Sequence, residues 1–198
     1  MSQDNLTSKQ NDYAVFLPAI SGFYATFIGK QRDPVNGPYV DPNRFPQGLT
    51  DMEQLNWLNS QQALFPYKWS LYSGGHANLD LNKQDWSEDM VRKREPGTFI
   101  LGDSGGFQIA KGLWEGDWKA NSGCPKAQKK REAILKWLDG VADYGMILDI
   151  PTWVIHDKKA SAACQITTLQ EAIDATKYNN EYFMQHRKGV KNGGTRIL

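Results

Sequence analysis

The sequence has little cysteine and no long hydrophobic run. Two cysteines in 198 residues cannot staple a small secreted scaffold, and no cluster of Cys and His has the spacing of a structural zinc site. The longest run without a polar residue covers 14–20, far short of the roughly 20 residues that cross a bilayer. The polar first 12 residues lack the apolar core of a signal peptide. These absences predict a cytoplasmic protein with no membrane span, no metal site and no cofactor in this chain.

Neither sign of charge dominates the composition. With 23 Lys and Arg against 22 Asp and Glu, the net charge of +1 excludes a histone-like polycation. Any contact with nucleic acid must therefore come from a local patch. One candidate is the cluster KAQKKR at 126–131, with Trp114 and Trp118 nearby, because cations and aromatic faces together bind single strands. The alternative interpretation, a solvated start of a helix, is the more common one.

Apolar segments of strand length alternate with segments of helical periodicity. After a flexible lead-in at 1–12 and a loop at 29–48, helices are predicted to start at Thr50 and Thr168, each with a Glu three residues on that completes a capping box. The second of these helices is expected to turn Leu169, Ala172, Ile173, Thr176 and Phe183 inward. Further helices are predicted at 86–94 and 125–144, and extended segments at 13–28, 68–72, 98–101, 146–148 and 195–198.

This alternation predicts an α/β fold with a parallel sheet and right-handed crossovers. A doubly wound sheet and a (β/α)8 barrel both fit the pattern. A barrel typically needs about 250 residues, and only five strand candidates occur, so we expect residues 13–198 to form the amino-terminal portion of a longer barrel.

Two acidic residues follow two different predicted strands. Asp103 follows TFILG and Asp149 follows GMIL, and the carboxyl ends of parallel strands carry reactive groups in both architectures. His76 follows another strand and either lines the same edge or is structural. Carboxylates accept hydrogen bonds from a purine's N–H groups, glycines let the backbone approach a planar ligand, and an aromatic ring can stack on it. The sequence therefore predicts a nucleobase pocket that also contains Ser104, Gly105, Gly106, Phe107 and Gln108.

Each of these features also has an ordinary structural interpretation. The D-S-G-G sequence after a strand is a common turn in which Asp and Ser bond to nearby backbone amides. Asp149 alone could be a helix N-cap or an ion-pair partner. The occurrence of two strand-end acids together favours a functional site.

The segment ILGDSGGFQ at 100–108 resembles the hallmark strand and loop of the tRNA-guanine transglycosylase superfamily, with six identical residues in a row from Asp103. This superfamily includes the queuine tRNA-ribosyltransferases and relatives that modify DNA. Three further segments are similar to family segments in the same order: the first barrel strand at 15–26, the first helix at 48–55, and the strand of the base-recognising aspartate, MILDIP, at 146–151.

The resemblance implies a (β/α)8 barrel that exchanges a guanine in nucleic acid for a 7-deazaguanine base. It implies a double displacement at the glycosidic bond, like that of a retaining glycosidase, on a flipped-out nucleotide. Asp103 would handle protons at the base. Ser104, Gln108 and Asp149 would orient the base, Phe107 would stack on it, and Gly105 and Gly106 would keep the pocket floor thin. A homodimer is left open.

The chain also departs from the family pattern. The nucleophilic aspartate and the zinc site would lie beyond Leu198, so we expect the chain alone to be inactive. Residues 150–153 read Ile-Pro-Thr-Trp where the tRNA enzymes have Glu-Cys-Thr-Pro, and 111–131 lacks their connecting hairpin. Both departures favour the DNA-modifying branch. Two other classes stay open: a catalytically inactive accessory paralogue that binds nucleic acid, and an unrelated barrel glycosidase with Asp103 and Asp149 as its acid pair.

Overall fold

The computed structural model describes residues 14–198 and shows an α/β architecture, as the sequence predicts. Five parallel strands form one sheet whose spatial order follows the chain, without the reversal that a doubly wound sheet requires. The predicted flexible segment at 1–12 lies outside the described residues. The strands are β1 (Ala19–Ile20), β2 (Trp69–Ser73), β3 (Phe99–Asp103), β4 (Tyr144–Gly145) and β5 (Arg196–Ile197).

Helices connect these strands. The longest are the two that precede β4 and β5, and none of the helices in residues 14–198 is both long and apolar enough to cross a membrane. The α-helices are α1 (Gly22–Gly29), α2 (Asp89–Arg92), α3 (Gly106–Ala110), α4 (Pro125–Val141), α5 (Lys158–Cys164) and α6 (Leu169–His186). Short 3₁₀ helices cover Lys30–Arg32, Pro42–Arg44, Met52–Leu55, Trp86–Glu88, Thr152–His156 and Val190–Asn192.

The amino-terminal region differs from the prediction of one extended segment at 13–28. Of its described residues only β1 is a strand, and α1 follows almost at once. The helix begins there because the Ser21 hydroxyl accepts a hydrogen bond from the backbone N–H of Tyr24 at 3.1 Å, which satisfies a free donor of the first turn.

The capping box predicted at Thr50 is wrong by one residue. Asp51 caps the segment by accepting from the N–H of Glu53 at 2.8 Å, and the side chain of Gln54 accepts from the N–H of Asp51 at 3.1 Å. The helix that follows is a single 3₁₀ turn, Met52–Leu55. The second predicted box, Thr168 with Glu171, is confirmed at the start of α6.

Further boundaries and two side chains differ from prediction. Strand β3 extends to Asp103 rather than ending at 101, and the helix predicted at 86–94 is a 3₁₀ turn followed by α2, which ends at Arg92. Helix α4 ends at Val141, and the next strand is β4 rather than 146–148. The chain there still runs beside β3, since the N–H of Met146 donates to the carbonyl of Gly102 at 2.8 Å. On α6, Ala172 and Phe183 are buried and Thr176 is half-buried, whereas Leu169 and Ile173 are exposed. Ile173 lies beside an open groove described below.

The core lies between α4 and one face of the sheet. Ile134, Leu138 and Val141 of the predicted apolar stripe are buried, together with Leu135 and Ala142. The fit is close at Gly102 of β3, where an added β-carbon would lie 2.6 Å from Cδ2 of Leu138 and 2.7 Å from the Cβ of Ala142. This packing fixes the direction of β3 and therefore the position of the residues that follow it.

The opposite face of the sheet is only partly covered. One row of side chains crosses all five strands, each residue paired with the next, and Ala19 and Arg196 at its two ends are exposed. Above this row, Ser73 of β2 pairs with Asp103 of β3 at the carboxyl-terminal edge of the sheet. The row consists of Ala19, Leu71, Leu101, Tyr144 and Arg196.

Candidate functional site

The last residue of β3, Asp103, is held by the end of β2. The Ser73 hydroxyl donates to Oδ2 of Asp103, and the backbone carbonyl of Asp103 accepts from the N–H of Gly74 at 2.8 Å. Ser73 in turn accepts from the N–H of Gly75 at 3.1 Å. Asp103 stays partly exposed, so its carboxylate is oriented by β2 without being sealed in the core.

The turn after Asp103 is built from two glycines with different constraints. Gly105 has φ +81°, and a β-carbon there would lie 2.7 Å from Cη2 of Trp114 and 2.9 Å from the backbone nitrogen of Gly75. Gly106 begins α3, and a β-carbon there would lie 2.4 Å from the carbonyl oxygen of Asp149 and 2.5 Å from its Oδ1. No other residue type fits at either position without displacing a neighbour.

The second acidic residue, Asp149, therefore lies against the turn that follows Asp103. It is exposed toward solvent on one side. Burial by neighbouring atoms raises the pKa of Asp149, and the negative charge of Asp103 raises it further. The structure thus brings the two predicted carboxylates to one edge of the sheet, close enough for their charges to interact.

Ser104 and Gln108 lie beneath the turn. Ser104 is fully buried, and its hydroxyl donates to the carbonyl of Ile147 at 2.8 Å, which ties the residues after β3 to those after β4. Gln108 is 7% exposed and packs against Gly75, where a β-carbon would lie 2.2 Å from its Oε1. Within residues 14–198 this buried oxygen has no hydrogen-bond donor. Ser104 supports the site, whereas Gln108 presents an unsatisfied acceptor.

Phe107 lies at the surface of α3 and has an aromatic neighbour. The ring is 55% exposed, and its centroid is 5.9 Å from that of Trp153. The amine of Lys111 lies 5.4 Å from the Phe107 centroid and 5.3 Å from the Trp153 centroid. An exposed aromatic face is thus available next to the two carboxylates.

The other sequence candidates are placed differently. His76 is exposed at the same edge of the sheet, with its Cβ near Gly22. Lys126 and Lys129 are solvated, as in the structural interpretation of the 126–131 cluster, but Trp118 and Arg131 are buried against each other and cannot meet a ligand as proposed. Across residues 14–198, no group of three or more His, Cys, Asp or Glu is arranged to hold a metal ion.

Two residues of the site were not singled out from the sequence, and a third, Trp114, was singled out only for a different surface. Ser73 carries a signal that could have identified it, because it ends β2 as Asp103 ends β3. Gly75 is part of the SGGHAN turn, whose glycines indicated a turn but not a partner. Trp114 reaches Gly105 from nine residues further along the chain, and no local pattern predicts that contact.

Comparisons with protein-family models, with curated proteins and with solved structures find no match to this chain. The chemistry of the site must therefore be inferred from its own residues. Two interacting carboxylates and an exposed aromatic ring surround a glycine turn. This set can accept several N–H donors of a planar ligand while an aromatic face covers it.

Proposed function

We propose that the chain is the amino-terminal part of a guanine transglycosylase, which exchanges a guanine in nucleic acid for a 7-deazaguanine. DNA is favoured over tRNA as the polymer because of the residues after Asp149. The observation that carries the proposal is the meeting of Asp103 and Asp149 around the Gly105–Gly106 turn. The resemblance of 100–108 to the transglycosylase hallmark segment supports the same function.

The hydrogen-bonding groups suit a guanine edge. Guanine presents a ring N–H and an exocyclic amine on one side, and both are donors that carboxylates accept. Gln108, expected to orient the base, is instead packed against Gly75 with its Oε1 sealed from solvent, so the two carboxylates are the acceptors of this site that a ligand can reach. Phe107 supplies a stacking face for the flipped-out base.

The sheet supports the (β/α)8 barrel that this function would require. Its five strands are parallel and adjacent in chain order, as barrel strands are. Further strands would cover Leu71 and Leu101, which the structure leaves half-exposed. The site then lies where barrel enzymes carry their reactive groups, after the strands.

In the proposed reaction, a carboxylate attacks the anomeric carbon, guanine leaves, and the incoming deazaguanine displaces the enzyme. The attacking carboxylate is assigned to a residue beyond Leu198. Within this chain, Asp103 would exchange protons with the departing and arriving bases. Asp149 would orient the base by accepting from its N–H groups, and its raised pKa means that acidification weakens this role at a higher pH than for an ordinary aspartate.

A second candidate function is supported by the same pair of acids. Two coupled carboxyl groups, one with a raised pKa, are also the equipment of a barrel glycosidase. The two functions differ in ligand, because a glycosidase would bind an oligosaccharide, whereas the transglycosylase would bind a purine-like base.

Binding of free bases tests the proposal on the chain as it stands. We expect calorimetric titration with guanine or 7-deazaguanine to show saturable binding that Asp103→Asn and Asp149→Asn each weaken about 10- to 150-fold, since each removes a hydrogen bond to a charged group worth about 1.5–3 kcal/mol. Asp80→Asn is the matched control, because Asp80 is exposed and, among residues 14–198, its carboxylate accepts only from the N–H of Asn82.

Equal weakening by the Asp80 variant, or no effect of the two site variants, would contradict the proposed site. Binding of an oligosaccharide but of neither base would favour the glycosidase. In the full-length protein, Asp103→Ala is expected to abolish incorporation of labelled guanine or 7-deazaguanine into nucleic acid while the fold is retained.

A further inference from the structure

A groove of about 540 Å³ opens beside Asp149, between the 3₁₀ helix Thr152–His156 and α6. Its lining includes Trp153, Ile173 and Lys177, and the first two side chains are 38% and 37% exposed. Ligand sites in proteins span about 300–1,000 Å³, so the groove has room for one nucleotide. Because Asp149 lines this groove and also lies against Gly106, the groove adjoins the proposed base site.

Trp153 and its neighbours combine an aromatic face with positive charge. The amine of Lys111 lies within 5.4 Å of the ring centroids of both Trp153 and Phe107. In residues 14–198 no carboxylate comes within ion-pair distance of Lys111. A cation beside an exposed ring is the combination that holds the phosphates and bases of single strands.

Lysines predominate around the groove, while Asp149 places one negative charge at the end that adjoins the proposed base site. Lys158, Lys159 and Lys177 are exposed and, in the part of the chain that is described, form no ion pair. The one acidic side chain in the segment that begins α5, Asp157, accepts hydrogen bonds from the backbone N–H groups of Lys159 and Ala160. The charge therefore favours an anionic occupant with an apolar, planar part over an uncharged apolar segment.

We propose that this groove binds the nucleotide next to the exchanged guanine in a single-stranded stretch of nucleic acid. Trp153 stacks on the flanking base, and Lys111 contacts a phosphate. The assignment of the nucleotide as a flanking one rests on the proposed function, which places the exchanged base at Asp103 and Asp149. Stacking and phosphate contact need no 2′-hydroxyl, so DNA and RNA strands share this chemistry.

Fluorescence anisotropy with labelled single-stranded oligonucleotides tests the proposal on the purified chain. We expect Trp153→Leu, which keeps an apolar side chain but removes the ring, to weaken binding roughly 5- to 150-fold, the range measured for one stacked base. Trp153→Phe should restore most of the affinity. Lys111→Gln should lower the slope of log affinity against log salt by about 0.7, as loss of one phosphate contact on a single strand does.

Trp86 supplies the matched control, because it also carries a lysine over its ring, with the Lys93 amine 5.2 Å from the centroid, and it is not among the residues that line the groove. We expect Trp86→Leu to leave oligonucleotide affinity within about twofold of the parent. Parallel series with DNA and RNA strands identify the preferred polymer, and binding of either supports the subsite. Equal affinities for the Trp153→Leu and Trp153→Phe variants, or an unchanged salt slope for Lys111→Gln, would overturn it.

An oligonucleotide with an abasic position in place of the target guanine separates this proposal from the proposed function. If the flanking subsite is real, Trp153→Leu weakens binding of the abasic strand as well. If the base site is real, Asp103→Asn lowers affinity only for the strand that contains guanine. If Trp153→Leu lowers oligonucleotide affinity and Asp103→Asn does not, the subsite is supported and the base site is refuted. If only Asp103→Asn lowers the affinity, the subsite alone is refuted.

Discussion

Three glycine-to-alanine substitutions test whether close packing at the site turn positions Asp149. Gly97→Ala, Gly105→Ala and Gly106→Ala each add one methyl group. Gly97 and Gly105 both have positive φ, +86° and +81°, but nothing lies within 4 Å of a β-carbon at Gly97, whereas one at Gly105 would collide with Trp114. Gly106 is helical and has no such backbone constraint, but its β-carbon would collide with Asp149.

The expected losses of stability follow from these contacts. A side chain in the left-handed region costs about 1–2 kcal/mol, which is the whole loss expected for Gly97→Ala. Overpacking adds about 1–3 kcal/mol, so Gly105→Ala should lose about 2–5 kcal/mol and Gly106→Ala about 1–3 kcal/mol. These figures describe the folded state; the smaller unfolded-state entropy of alanine reduces each loss by about 0.4–1 kcal/mol and cancels in the comparison.

Urea denaturation at pH 7 measures the free energy of unfolding, and base titration measures the site. Gly106→Ala should weaken guanine binding although it is expected to lose less stability than Gly105→Ala, because its collision displaces the Asp149 carboxylate. Gly97 precedes β3, at the opposite end of the strand, so its variant should bind the base like the parent. A Gly105→Ala variant no less stable than Gly97→Ala would refute the close approach of Trp114.

Other predictions follow from individual ionisable groups. Asp103→Asn should lower the pKa of Asp149, seen in a carbon-13 NMR titration, because it removes a neighbouring negative charge; an unchanged value would mean that the carboxylates do not interact. Hydrogen bonds from the N–H and hydroxyl of Thr167 lower the pKa of Glu171 from 4.5 to about 2, so its stabilisation is complete above pH 4.5 and is lost as the pH falls toward 2. Glu171→Gln should flatten the unfolding free energy over that pH range, and a curve parallel to the parent's would argue against this contribution. Cys124 should react with iodoacetamide faster than Cys164, as followed by mass spectrometry, because backbone N–H groups lower the pKa of the Cys124 thiol while burial raises that of Cys164; equal rates would contradict this.

Local patterns predicted the elements whose signal lies within a few residues. The capping box at Thr168 and the strand predicted at 98–101, which the structure extends to Asp103, are of this kind, because hydrogen bonding and periodicity there depend on neighbours in the chain. The segment at 13–28 was mistaken for a strand because its aromatic and β-branched residues suit either structure, and the cap at Ser21 decided the outcome.

Long-range contacts account for what the sequence could not predict in the site. Asp103 and Asp149 were expected at one edge because both follow parallel strands. The close approach of Trp114 to Gly105 is a tertiary contact that no periodic sequence pattern predicts. The same holds for the position of Trp153 beside Phe107. The exposure of Ile173 likewise depends on the open groove rather than on its place in the helical stripe.

Three glycines, which carry no side chain, form the floor of the site. Since Gly75, Gly105 and Gly106 each touch another chain segment, a mutation at any of them disturbs at least two segments at once. The exposed rings of Phe107 and Trp153 have no such restraint. During evolution, such a scaffold could acquire new ligand preferences through its rim, while its glycine floor would tolerate almost no sequence drift.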